Sequence, residues 1–188
     1  RLDNLPPAYL SENSIIVAAG ASTKQWHHVM GWAEAGISMS YLPGRHDVGI
    51  AIPDYRGGLN FARGFGSLLG ASHSGFFYET TADAIYVSRF DKDWLFYSQH
   101  RLGRTFRPFG SESFQTYLNG NYVQDVKREY WANSVEFGPG AKVHLPGMPP
   151  GVYFSADWLH GVYTMNKANP RRPNYNDLRL GFWYAATR

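Results

Sequence analysis

The groups in this chain with the widest chemical reach are its histidines, serines and carboxylates, and the hydrolytic set they suggest is Ser155, Asp157 and His160. Nucleophilic catalysis of that kind needs the hydroxyl and the imidazole side by side. On a strand, side chains five positions apart project from opposite faces, so the sheet itself would separate Ser155 from His160. A metal reading is no stronger. Of seven histidines only His27 and His28 are adjacent, and neighbours on a strand point opposite ways. His46 falls in a turn and His73 between Ser72 and Ser74 in a loop, while His100, His144 and His160 stand singly on strands. Cysteine is absent, which removes thiol nucleophiles, zinc–thiolate sites and disulfides. The expectation is therefore no catalytic site, no metal and no cofactor, with a lipid hydrolase kept as a lesser alternative.

Gly64-Phe65-Gly66 and Gly57-Gly58 do not match a phosphate-binding fingerprint leading into a helix. Glycines within strands mark bulges or curvature instead. What the polar residues do offer is a lined path. Glu79, Asp83, Gln99, Arg101, Asn119, Asn121, Asp125, Glu136, Asp157, Asp177 and Arg179 fall on the polar faces of alternating segments, with Tyr97 close by. Ring faces with paired donors and acceptors are what a sugar chain requires. Arg171-Arg172, between Pro170 and Pro173, could meet an anionic glycan or a lipopolysaccharide phosphate.

The elements that must position these residues are strands. Period-two alternation recurs over 54–65, 75–89, 114–128, 133–145 and 177–184. Over 75–89, Phe76, Tyr78, Thr80, Ala82, Ala84 and Tyr86 alternate with Phe77, Glu79, Thr81, Asp83, Ile85 and Val87. Over 133–145, Val135, Phe137, Ala141, Val143 and Leu145 oppose Ser134, Glu136, Lys142 and His144. Weaker candidates are 14–22, 30–42, 94–103 and 152–164, and turn chemistry at Pro43-Gly44, Asp91-Lys92-Asp93, Gly110-Ser111 and Pro149-Pro150-Gly151 separates the runs. That makes nine strands, with 48–52 as a short tenth that Pro53 would end. No long helix or repeat is expected, and residues 1–188 are expected to form a single barrel domain or the C-terminal segment of a larger barrel.

Composition agrees. Aromatics reach 16% and charged residues only 18%, against about 25% charged in average domains. A net charge of +3 is too small to argue for a nucleic-acid partner. No run approaches the ~18 apolar residues of a spanning helix. Several of the runs are long enough for a tilted strand to cross a bilayer, about 10 residues. The predicted fold is therefore an antiparallel up-and-down β-barrel, transmembrane, with polar faces toward a lumen and apolar faces toward lipid. Tyr and Trp near strand ends would form interfacial girdles: Trp32, Tyr41, Tyr86, Trp94, Tyr130, Trp131, Tyr153, Trp158, Trp183 and Tyr184. A soluble barrel binding a ligand in an apolar interior is the alternative. Arg1 to Pro7 lacks the basic-then-apolar order of a signal peptide, so either one has been removed or the chain belongs to a longer protein.

Several segments have a more specific character: Tyr41-Leu42-Pro43-Gly44-Arg45-His46-Asp47, Arg63-Gly64-Phe65-Gly66-Ser67-Leu68-Leu69-Gly70, Tyr117-Leu118-Asn119-Gly120-Asn121, and Gly161-Val162-Tyr163-Thr164 through Asn169-Pro170-Arg171-Arg172-Pro173-Asn174-Tyr175. From about Tyr41 onward the chain resembles the C-terminal region of NfrA-type bacteriophage-adsorption proteins. The resemblance implies a bacterial outer-membrane barrel, following a periplasmic helical-repeat region, that serves exopolysaccharide export and is exploited by phage. It also implies outer-membrane lipids, an exopolysaccharide chain, an inner-membrane synthase and phage as partners, with Arg171 and Arg172 as a phage contact; the small net charge leaves no nucleic acid among them.

Overall fold

A computed structural model describes residues 14–40, 51–89, 92–107, 113–128, 133–145, 147–149, 152–165 and 174–184. These form nine antiparallel strands: β1 (Ser14–Ser22), β2 (Val29–Ser40), β3 (Ile52–Gly66), β4 (Gly75–Val87), β5 (Asp93–Phe106), β6 (Ser113–Asp125), β7 (Ser134–His144), β8 (Val152–Tyr163) and β9 (Asn174–Tyr184). Each pairs with its sequence neighbour in one up-and-down sheet. No helix occurs among the described residues.

The sheet is open. The closed barrel expected from the alternation is not what the described residues form, because β1 and β9 each pair on one side only. In a meander, odd-numbered strands run the same way, so a direct β1–β9 seam would be parallel and could not continue the antiparallel ladder. Of the short extra strand expected over 48–52, residues 48–50 lie outside the described residues; Ile52 and Pro53 belong to β3, so Pro53 does not end a strand there. Pro53 is tolerated because it pairs with Ile37 of β2, while the β4 ladder begins only at Arg56↔Val87. Its missing N–H therefore interrupts nothing on that side.

Alternation decides the two faces. Among the described residues, fifteen buried side chains are polar or charged and only five are hydrophobic. Leu59, Leu102, Leu118, Phe137, Leu178 and Leu180 lie between 51% and 77% exposed. Asn119, Asn121, Glu136 and Asp157 are 4% exposed or less. Curvature produces the burial: Lys142 of β7 reaches Glu79 of β4, and Arg101 of β5 reaches Asp157 of β8. The polar face is concave and the apolar face convex.

A glycine is required where this concave side is tightest. A Cβ on Gly140 would collide with the Tyr117 ring and the Asp157 carboxylate, whereas one on Gly120 would meet only the Phe137 ring at 3.8 Å. Gly140→Ala should therefore cost about 1–3 kcal/mol through overpacking. Gly120→Ala should change stability by less than about 0.5 kcal/mol. Denaturant midpoints of the two variants check this.

The aromatic assignments need correction. Trp32 and Tyr153 belong to the concave side: Trp32 pairs with Gly58, in the row that carries Arg56 and Asn60, and Tyr153 lines the interior cavity. Tyr86 and Trp94 do sit together on the convex face, rings 5.6 Å apart, near the end of the sheet where β4 turns into β5. Tyr55, Phe96 and Tyr122 stand exposed toward the same end. Toward the other end are Phe65, Phe76, Phe106, Phe114, Phe154 and Phe182, also exposed. Tyr41, Tyr130 and Trp131 lie outside the described residues.

Candidate functional site

The concave face bounds an open cavity of about 860 Å³, lined from Asn60 on β3 across to Gly181 on β9. Eight of the residues singled out from sequence line it: Asp83, Tyr97, Gln99, Arg101, Asn119, Asp157, Asp177 and Arg179. Glu79, Asn121, Asp125 and Glu136 share the same face behind or beyond it. Arg171 and Arg172 lie outside the described residues.

Two hydrogen-bonded networks organise the face. The first centres on Glu136, which is 3% exposed. Its carboxylate accepts from Asn121 Nδ2 at 3.1 Å, Tyr175 Oη at 2.7 Å and Arg179 Nη2 at 2.6 Å. Asn121 Oδ1 in turn accepts from Gln99 Nε2 at 3.0 Å and Tyr97 Oη at 3.3 Å, and Arg179 Nε also donates to Asp177 at 2.8 Å. Both oxygens of Glu136 thus accept from donors, which is what lets a carboxylate sit there.

The second centres on Glu79. Lys142 Nζ lies 2.5 Å from Glu79 Oε2, and Arg101 is 3.9 Å from the same oxygen and 4.0 Å from Asp157. Asn119 Nδ2 donates to Asp157 at 2.8 Å. Tyr117 and Tyr153 present ring faces to these cations: Lys142 is 5.6 Å and 5.5 Å from the two ring centres, and Arg101 5.2 Å from Tyr117. Cations held over rings and against carboxylates are fixed in place.

Sequence reasoning missed Asn60, Thr81, Tyr117, Tyr153 and Ser155 as parts of this face's working surface. Asn60 Nδ2 donates to Asp83 at 2.7 Å across the β3–β4 pair. The usable signal for Thr81, Tyr117, Tyr153 and Ser155 was strand phase, since each stands an even number of residues from one already assigned on its own strand; Asn60 has no such neighbour on β3, and only its pairing with Asp83 reveals it.

One mouth of the concavity is narrowed by the β3–β4 connection, residues 67–74. Leu68 folds back against the inner surface at Gly64, where any Cβ would strike it. The Ser67 carbonyl accepts from Thr105 Oγ1, and Gln115 Nε2 donates to that hydroxyl at 2.9 Å. Arg107 holds the outer part of the loop, its N–H donating to Ser74 Oγ at 3.0 Å and its guanidinium to the Ala71 carbonyl.

The hydrolytic set is not assembled. Ser155 and Asp157 face inward, and His160 stands exposed on the convex side, 3.0 Å from Asn176 Oδ1. His27 and His28 occupy the tight β1–β2 turn with φ of 44° and 72°, not a strand. His100 is on the convex face against Tyr78 Oη at 2.8 Å, and His144 donates to the Val152 carbonyl at 2.7 Å. His46 lies outside the described residues. Among the described residues no three His, Asp or Glu side chains converge as a metal site would need.

Fold and site together define a class: an antiparallel meander turned inside out, ionic and amide groups within and hydrocarbon without. No protein-family model, no curated protein and no solved structure matches the chain.

Proposed function

We propose that this chain forms part of the wall of a bacterial outer-membrane β-barrel, a passive conduit and anchor for exopolysaccharide export that phage can use as a receptor. The single observation that carries the reading is the inverted burial: among the described residues fifteen buried side chains are polar or charged against five hydrophobic, and Leu, Phe and Val stand mostly outside. In water that outer face would be a continuous apolar patch far larger than monomeric proteins tolerate. In lipid it is the expected surface, and strands of 9 to 15 residues are long enough to cross. The alternative of a soluble barrel asks for an apolar chamber, and the described interior is polar.

The mechanism is positional. Fixed carboxylates, guanidinium groups and amides replace part of a sugar's hydration as it passes, and Tyr97 and Tyr153 in the cavity wall offer ring faces for stacking. Charges already paired with one another bind a neutral polyol weakly, which suits transit. The likeness of 161–175 to the phage-adsorption family supports the glycan and phage parts of the reading.

The chain contains no cysteine, so single-cysteine labelling tests it directly. In vesicles, Thr81→Cys on the inner face should react with a membrane-impermeant maleimide, and Leu102→Cys on the outer face should not. The same vesicles should admit neutral oligosaccharides in a swelling assay, more slowly with Thr81→Trp. Equal labelling of both cysteines, or a monodisperse folded protein without detergent, would sink the proposal.

A further inference from the structure

The convex face is not uniform. Near the end that carries the β3–β4 connection, three rows of side chains cross β5 to β9 along the ladder. The outermost is Phe106, Phe114, Val143, Phe154 and Phe182, each paired with the next. Two residues further in, the row is Arg104, Thr116, Ala141, Ala156 and Leu180. Beyond it stand Leu102 and Leu118 on β5 and β6, and Trp158 and Leu178 on β8 and β9.

Small side chains between two rows of large ones make a groove. Over β6 to β9 it has a volume of about 500 Å³, with Phe114, Val143, Phe154 and Phe182 as one wall, Ala141 and Ala156 as floor and Leu180 at its β9 end; Thr116 and Arg104 continue the same row beyond it, onto β6 and β5. Strands are about 4.8 Å apart, so the row from Arg104 to Leu180 covers roughly 19 Å. That is the scale of a single extended acyl chain. Because strands in membrane sheets tilt, a groove along the ladder runs obliquely, from the interface into the hydrocarbon.

The cation at one end is the second, independent observation. Arg104 is exposed, two residues from the end of β5, with its guanidinium 5.7 Å from the Phe76 ring centre and 5.4 Å from that of Phe106. It has no carboxylate partner among the described residues. Ring stacking occupies the faces of a guanidinium and leaves its N–H edge available, and that edge is suited to phosphate oxygens.

We propose that this groove is a binding site for one anionic glycerophospholipid, with the phosphate on Arg104 and an acyl chain over Thr116, Ala141 and Ala156. The inference rests on the outer face being lipid-facing. It adds a specific, charge-selective lipid where that reading needs only solvent hydrocarbon. The Phe wall excludes bulk lipid from one side, and the Ala floor gives the chain a depth that neighbouring Leu and Trp positions do not.

The test is native mass spectrometry of the full chain released from detergent micelles, titrated with phosphatidylglycerol or phosphatidylcholine of identical acyl composition. The wild-type protein should retain one phosphatidylglycerol about fivefold more than phosphatidylcholine, the effect of one basic side chain at an anionic surface. Arg104→Gln should erase that preference without lowering phosphatidylcholine retention. Ala156→Phe, which fills the floor, should reduce both lipids, and glycerol phosphate without acyl chains should not compete. Equal retention of the two lipids by the wild type would overturn the proposal, as would an unchanged preference in Arg104→Gln. A dimer of this chain that disappears with Ala156→Phe would assign the groove to a second copy instead. These failures are distinct from failure of the membrane reading, which would show as folding without detergent and labelling of Leu102→Cys.

Discussion

Leu118→Arg should nearly abolish assembly into membranes, whereas Thr81→Arg should leave it close to wild type. Leu118 is on β6, near the middle of the strand, with its side chain 51% exposed on the convex face. If that face meets acyl chains, an arginine near the midplane costs about 2–4 kcal/mol. That is a large share of the stability of any small domain. Thr81, at the middle of β4, points the other way. Its side chain lines the 860 Å³ cavity among Asp83, Gln99 and Asn119, so a guanidinium there enters a polar space and meets a carboxylate. The expected change is below about 1 kcal/mol. Folding yield into vesicles, read by protease resistance or heat-modifiable gel migration, distinguishes the two. Equal damage from both would mean that the convex face is covered by something other than lipid.

The second large effect is in the Glu79 network. Lys142 is 4% exposed and has Glu79 at 2.5 Å, with the Arg101 cation sharing the same carboxylate. Glu79→Leu leaves a buried ammonium beside a second positive charge, and breaking a buried pair this way costs about 3–5 kcal/mol. Since Glu79 is 24% exposed, solvent screening brings the expectation to the lower end, about 3 kcal/mol. Replacing both partners, Glu79→Leu with Lys142→Met, removes the stranded charge and should recover most of the loss. A double-mutant cycle in denaturant gives the coupling. Additive losses would mean that the 2.5 Å contact is not an energetic unit and that Arg101 is the cation Glu79 serves.

How much of this was legible beforehand follows from what alternation can carry. Strands β3, β4, β6 and β7 could be read because one row is polar and the next apolar, as in Gln115, Asn119 and Asn121 against Phe114, Leu118 and Tyr122. β1 was fainter for a physical reason: Ile16, Ala18 and Gly20 on one face differ little from Val17, Ala19 and Ala21 on the other. Its place came from pairing with β2, residue by residue from Ser14↔Ser40 to Ser22↔Trp32. Trp32 and Tyr153 were misassigned because an aromatic near a strand end suits an interface and a lumen equally well. Only its phase against a paired neighbour separates the two.

By itself the sequence determined the strands, their two faces and the absence of thiol chemistry, since period two and composition are properties of neighbours along the chain. Which face turns inward was decided by the tertiary structure. So was the meeting of Glu79 with Lys142, sixty-three positions apart, and of Glu136 with Arg179, forty-three positions apart. Alternation is symmetric: it says that two surfaces differ and is silent on which is concave. Sheet curvature breaks that symmetry. It brings side chains from strands two or three apart within hydrogen-bonding reach on one side only, and the networks that form there are what make the polar face the interior.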